Sequence, residues 1–258
     1  MQPVNSPQKE NEKLYRTDAL IIKMNEVGEA DKILTLYTPS RGKLRAIAKG
    51  VRRTSSRLSG NVQLFTQTRL LIAAGRNLDI VTQSQPLNFF KELQNNHSRL
   101  LHAYYVLELL DKLTEEANPN HLMYELTVEC LEALDKGINP DTIVRTYELK
   151  LLDLAGYRPQ LQKCVRCEQA ILPGKNFFST ELGGVICPEC SKIERNCVEI
   201  SVDALKALRY LQKQGSLKAP ALRLSPELRR EVELTLRGFT RYILERDLRS
   251  AEFIHNLS

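Results

Sequence analysis

Four cysteines stand in two pairs of the same form, Cys164-Val165-Arg166-Cys167 and Cys187-Pro188-Glu189-Cys190, with 19 residues between the pairs. A two-residue gap lets both sulfurs of one tight turn face one point. Two such turns supply the four thiolates of a tetrahedral metal site, and this spacing lies in the zinc range. Disulfides or redox thiols are the alternatives. The leading stretch MQPVNSPQKENEK is polar and lacks the apolar core of a secretory signal, which favours reduced thiols and a bound ion. Four sulfur ligands leave no open position, so a Zn²⁺ held this way is structural, not catalytic. Gly174, Gly183 and Gly184 supply the turns of a zinc ribbon. Four thiolates on Zn²⁺ leave a net charge of about −2, which Lys163, Arg166, Lys192 and Arg195 could offset. The same cations could instead touch a phosphate. Cys130 falls on a helical apolar stripe and reads as core. Cys197 is a spare ligand or a free thiol and is assigned no role.

The second concentration of chemistry is charge. The whole chain has a net charge of +6, yet ten basic residues and no acid lie between Lys32 and Leu78. The remainder of the chain is therefore net acidic. A basic window of this kind is the footprint of a polyanion binder, weighed here against an ordinary solvated charge run. Its centre is AKGVRRTSSRLSG, residues 48–60. In the strand before it, a period of two puts Leu44, Ala46 and Ala48 on one face and Lys43, Arg45 and Lys49 on the other. Arg52, Arg53 and Arg57 continue that basic face. These six cations are the candidate nucleic-acid contacts.

The elements that must position these groups differ along the chain. Residues 1–13 read as a disordered extension. Residues 14–85 contain five short β-branched or alternating segments, 17–24, 30–38, 42–50, 62–73 and 77–84, separated by turn residues. Five short strands in this span predict a closed barrel of the oligonucleotide-binding (OB) type. From 86 to 258 the apolar period becomes helical. One stripe runs through Phe89, Leu93, Leu100, Tyr104, Leu107 and Leu110, and a second through Leu122, Leu126, Cys130 and Leu134. Asn139-Pro140-Asp141 is a cap followed by proline, opening a helix that ends at Gly156. Ser201 and Ser225-Pro226 open two more helices. The cysteine module, residues 160–197, is expected as an excursion from one helical bundle. The expected class is thus α+β and multidomain.

No apolar run is long enough to span a bilayer. There is no phosphate-binding glycine loop, nucleophile elbow or H-E-x-x-H string. The four histidines are scattered. A binding protein and not an enzyme is expected, with a zinc hydrolase or nuclease as the enzymatic alternative.

Several strings occur in a familiar order: Asp18-Ala19-Leu20-Ile21-Ile22, Gly28-Glu29-Ala30-Asp31-Lys32, Gly42-Lys43-Leu44, Ala48-Lys49-Gly50-Val51-Arg52-Arg53 and Ser56-Arg57-Leu58. After them come Gly156-Tyr157-Arg158-Pro159, both cysteine pairs, Gly183-Gly184 and Asp247-Leu248-Arg249-Ser250. From Thr17 to its end the chain resembles the RecO family of bacterial recombination and repair mediators. That resemblance implies an N-terminal OB fold, a helical domain and a zinc module within the latter. It also implies binding to single- and double-stranded DNA, annealing of complementary strands, and residence in the bacterial cytoplasm at the nucleoid. The implied partners are RecR and the C-terminal tail of the single-stranded DNA-binding protein (SSB), with RecA and RecF reached indirectly. An RNA-binding OB and zinc-ribbon protein of translation or transcription is the competing reading. Residues 14–85 offer only Tyr15, Tyr37 and Phe65 as aromatics and the chain has no Trp, so the barrel is expected to hold strands by their phosphates rather than by stacking.

Overall fold

The computed structural model describes residues 13–194, 196–217 and 222–251. It divides into two compact units. Among the described residues, one contains 13–38 together with Leu44–Asn88, and the other contains Pro39–Lys43 and the described residues from Phe89 onward.

The first unit is the expected barrel. Its strands are β1 (Leu14–Val27), β2 (Asp31–Thr38), β3 (Gly42–Ala48), β4 (Gln67–Ala73) and β5 (Asp79–Asn88), closed in the order β1-β2-β3-β5-β4. Strand β1 closes it by serving two neighbours. Leu14–Leu20 pairs with β4, and Leu20–Val27 pairs with β2, both antiparallel. Strands β3 and β5 meet in parallel, Ala46 opposite Asp79 and Ile47 opposite Ile80. This is the five-stranded OB arrangement. Ala19, Ile21, Leu34, Leu36, Leu70 and Ile72 fill the interior with no exposed surface.

Strand β4 begins at Gln67, five residues later than the sequence pattern suggests. Residues 50–66 form a chain of turns instead, with the N–H groups of Arg53, Ser56, Ser59 and Thr66 each bonding a carbonyl three residues back. Val51, Val62 and Phe65 from this segment are buried, so it plugs the barrel as well as connecting strands. Phe65 adopts a φ of 66° and is 3% exposed.

The second unit is helical. Helix α1 (Lys91–Gln94) and α2 (His97–Leu113) are separate, because the Asn96 side chain accepts the Arg99 N–H at 3.1 Å and starts a new helix. The single long stripe expected from Phe89 is thus two elements, and Tyr104 within it is exposed. Helix α3 (His121–Asp135) ends in a Schellman turn at Gly137. Leu122, read as core, is exposed because it precedes the buried face that Met123, Leu126 and Cys130 share. Helix α4 (Pro140–Leu154) opens on Asn139, which accepts from Asp141 N–H, and closes at Gly156. There Gly156 N–H bonds Asp153 and Tyr157 N–H bonds Leu152, again a Schellman turn.

A three-stranded sheet follows, β7 (Gly184–Ile186), β6 (Asn176–Ser179) and β8 (Cys197–Ile200) in that order, with the short α5 (Pro188–Ser191) between β7 and β8. Helices α6 (Val202–Lys213) and α7 (Pro226–Leu244) complete the unit, capped by Ser201 and Ser225 as their sequences predict. The cysteine module is not a detached excursion. Leu161, Phe178, Val185 and Ile186 share one apolar core with α4, α6 and α7, and Phe178 meets Phe239 edge-on at 5.8 Å between ring centroids.

Several polar groups are buried in this helical unit, and Glu148 links three of its helices. Glu148 is fully buried and accepts from Arg145 at 2.6 Å, Tyr105 Oη at 2.8 Å and Thr240 Oγ1 at 2.9 Å. It joins α2, α4 and α7. Burial works against the Arg145 charge, but Glu148, Tyr105 and Glu233 overcome it and hold the guanidinium protonated. Glu148→Leu therefore strands a charge, and should lower the stability of the helical unit in urea unfolding by about 3–5 kcal/mol. Combining it with Arg145→Met should recover most of the loss; a double variant as unstable as Glu148→Leu would contradict this.

Candidate metal centre and basic face

The four sulfurs converge. Cys164, Cys167, Cys187 and Cys190 place their Sγ atoms within 4.8 Å of one another, and Cys167 and Cys187 are 3.8 Å apart. A tetrahedral ion with bonds of about 2.3 Å requires sulfurs about 3.8 Å apart, so the donor set fits a metal ion. Among the described residues no other group of His, Cys, Asp or Glu converges in this way.

Local backbone builds both turns. In the first, Glu168 N–H bonds the Cys164 carbonyl and Cys164 N–H bonds Gln169, with Glu168 at a φ of 60° to reverse the chain. In the second, β7 delivers Cys187 to the start of α5, and Pro188 takes the first helical position. Gln160 accepts Val185 N–H and its own N–H bonds Gly183, tying the approach to the first turn onto β7. A side chain at Gly184 would meet the Gln160 carbonyl oxygen at 2.4 Å, so only glycine permits that approach.

The electrostatics of the cluster favour one thiolate and oppose four. Burial disfavours the Cys164 thiolate, yet backbone N–H groups of Cys187, Cys167 and Arg166 overcome this and bring its pKa down to about 6. Burial and the neighbouring Cys187, Cys167 and Cys164 push Cys190 up to about 12. A cation shared by the four sulfurs reverses that opposition. Two of the cations near in sequence are engaged with acids: Lys192 pairs with Glu189 at 2.7 Å and Arg166 with Glu194 at 3.8 Å. Arg195 lies outside the described residues. Cys130 is buried in α3, where burial and then Glu129 raise its thiol. Cys197 donates to the Glu194 carbonyl and stands outside the sulfur cluster.

The six basic candidates divide. Ala46 and Ala48 are fully buried, Leu44 packs against the same core, and Arg45 and Lys49 are exposed, as the period of two requires. Arg53 and Arg57 are also exposed, and none of these four cations makes a salt bridge with a described residue. Arg52 is different: its guanidinium pairs with Glu26 at 3.1 Å while its N–H bonds the Ala30 carbonyl. Asp31 accepts Gly50 N–H at 2.7 Å, anchoring the start of the loop. Lys43 departs from the expectation altogether. It clusters with the helical unit, where its ammonium bonds the Asp111 and Thr114 carbonyls at 2.6 Å each and the Asp111 carboxylate at 3.2 Å. With only 13% of its side chain exposed, Lys43 is a structural tie and not part of an outward cationic face. Arg69, within the same acid-free window, forms a bidentate pair with Asp18 at 2.7 and 3.0 Å.

The four-residue string Asp247-Leu248-Arg249-Ser250 also finds a physical role. Asp247 pairs with Arg237 through two bonds, Leu248 is buried, and the N–H groups of Arg249 and Ser250 bond Glu108. It docks the chain after α7 onto α2.

No helix among the described residues is long and apolar enough to cross a membrane. Comparison with known proteins covers both units. The family model described as Recombination protein O N terminal matches residues 13–90, and that described as Recombination protein O C terminal matches residues 94–252. A protein of Roseiflexus sp. (strain RS-1) named "DNA repair protein RecO" is 44% identical over 246 residues, covering 95% of this chain and 87% of that one. Proteins of the same name from Pelotomaculum thermopropionicum and Dehalococcoides mccartyi are 38% and 35% identical, covering 94% and 95% of this chain and 94% and 96% of theirs.

Two measurements check this geometry. Cobalt(II) added to the apo chain should give the intense thiolate charge-transfer absorption of a tetrahedral four-sulfur site, and Cys187→Ser should lose it; an octahedral spectrum would contradict the assignment. Lys43→Ala should destabilise the helical unit while leaving the salt dependence of polyanion binding unchanged. A fall in that dependence would return Lys43 to the basic face.

Proposed function

The chain belongs to the RecO family of DNA repair proteins, and on that premise we propose that it is a non-enzymatic mediator that binds single- and double-stranded DNA and anneals complementary strands. With RecR it helps load RecA onto single strands coated with SSB, whose tail it engages, and RecF belongs to the same route. It works in the bacterial cytoplasm, at the nucleoid. The Cys₄ group holds one structural Zn²⁺.

The observation that carries this reading is the basic face. Arg45, Lys49, Arg53 and Arg57 are exposed and make no salt bridge with a described residue. Mutual repulsion is the cost of leaving them so, and a polyanion relieves it. Arg52 can join by exchanging Glu26 for a phosphate, since surface pairs of this kind are worth about 0.2–1 kcal/mol. The barrel's aromatics are not available: Tyr15, Tyr37 and Phe65 are all buried. The barrel therefore grips the backbone and leaves base edges free. Annealing needs those two properties together, a screened backbone and unpaired Watson–Crick edges.

Zn²⁺ takes no part in this chemistry. Held by Cys164, Cys167, Cys187 and Cys190, it fixes a module whose core residues are those of α4, α6 and α7. It supplies folding energy rather than a reactive position.

The salt dependence of single-strand binding tests the assignment of contacts. Arg53→Ala/Arg57→Ala should reduce the slope of log K against log salt by about 1.4 in magnitude, and Arg52→Ala should change it by less than either of those arginines. Unchanged slope and affinity in the double variant would remove the loop from the interface. Annealing of complementary strands, with and without SSB, should fall in parallel. Competition between matched DNA and RNA strands decides the nucleic acid: preference for RNA would overturn the repair reading.

A further inference from the structure

The helical unit has a cleft that the basic barrel does not explain. Its volume is about 880 Å³, within the range of roughly 300–1,000 Å³ typical of small-ligand sites. Three segments far apart in sequence form it. The Schellman turn after α4 presents Tyr157 and Arg158, the β6–β7 turn presents Thr180, Glu181 and Leu182, and the end of α7 presents Arg241, Tyr242 and Arg246. A second hollow of about 500 Å³ shares Arg158 and continues past Lys163 to Lys213, with no acid in its lining.

The chemistry of this trough is specific. Tyr157 and Tyr242 are 49% and 51% exposed, unusual for rings that could have packed inward. Arg241 and Arg246 make no salt bridge with a described residue, although Arg241 lends its field to Asp247. Arg158 is held by Asp153 at 2.9 Å. Glu181 and Glu245 also line the cleft. Among the described residues of the barrel no aromatic side chain is exposed, whereas the helical unit exposes Tyr104, Tyr157, Tyr210 and Tyr242. Of these, only Tyr157 and Tyr242 line this cleft beside cations.

We propose that this trough is a second nucleic-acid site, one that takes an unpaired base of a single strand. The base stacks on Tyr157 or Tyr242, its phosphates lie against Arg241 and Arg246, and the following phosphates run past Arg158 to Lys163 and Lys213. Exposed aromatic faces beside a cationic track are the elements of sequence-tolerant single-strand binding. The two glutamates oppose phosphate and carboxylate alike, so the discrimination rests on the exposed tyrosine faces, which stack a neutral base and have no counterpart in an acidic peptide. Stacking uses the face of the base and leaves its Watson–Crick edge open, so the site is compatible with annealing. The inference rests on the nucleic-acid reading above and assigns stacking to one unit and phosphate contact to both.

The test uses the full chain and two fluorescent probes of equal length, oligothymidylate and an abasic strand with the same phosphates. Tyr157→Ala/Tyr242→Ala should weaken oligothymidylate about tenfold and leave the abasic strand unchanged. Arg241→Ala/Arg246→Ala should weaken both probes and reduce the salt slope by about 1.4. Circular dichroism and metal content matching wild type establish that both variants are folded, as their exposure predicts. Wild-type affinity for both probes in both variants would overturn the proposal, as would loss of binding to an acidic peptide with no change for either strand. Arg53→Ala/Arg57→Ala run alongside separates the two readings. If that variant loses binding and the cleft variants do not, the trough alone is refuted; if wild type binds neither strand, the nucleic-acid reading itself fails.

Discussion

Closure of the barrel by β1 is the constraint on which the basic face depends. One strand pairs with β4 through its first half and with β2 through its second, so no edge is left and every strand has one inward and one outward face. Apolar side chains fill the interior, Ala46 and Ala48 of β3 among them. Arg45 then points out by parity, not by any affinity of its own. The loop after β3 inherits the same discipline. Val51, Val62 and Phe65 fix its backbone from below, and its cations are displayed by a surface that is anchored and not merely solvated.

The helical unit solves a different problem with two polar clusters, one buried and one partly exposed. Glu148 binds partners from α2 and α7 as well as from its own helix, which sets the rotation of three helices about one another. Such groups are costly when incomplete and selective when complete. The sulfur cluster does the same for the sheet. Its turns are only a few residues long and could not hold their shape alone, yet their neighbours Leu161, Phe178 and Val185 belong to the common core. An ion held by those turns would therefore act on α4, α6 and α7 as well, and a module that looks appended in sequence is an integral part of the unit.

What was legible in the sequence was local. The caps Asn139, Ser201 and Ser225 each act within three residues, and all three helices start where those residues say. The cysteine spacing encodes its own geometry. The five-strand barrel follows from period and turn residues, although the pattern starts β4 too early, because Val62 and Phe65 are apolar without being in a strand. What was not legible depended on distant partners. An acid-free window in sequence is not acid-free in space: Glu26 reaches Arg52, Asp18 reaches Arg69, and Asp111 takes Lys43 out of the outward face. The same limit hid the tyrosine-lined trough, whose three walls are contributed by segments about 20 to 60 residues apart, each of which reads alone as a helix end or a turn.

The central claim is that the barrel holds a strand by phosphate charge and leaves its bases free. The most direct measurement compares binding of one DNA sequence with its natural backbone and with an uncharged methylphosphonate backbone, across a salt series. The account predicts that removing the backbone charge abolishes most of the affinity and nearly all of its salt dependence. Equal affinity for the two strands would contradict it.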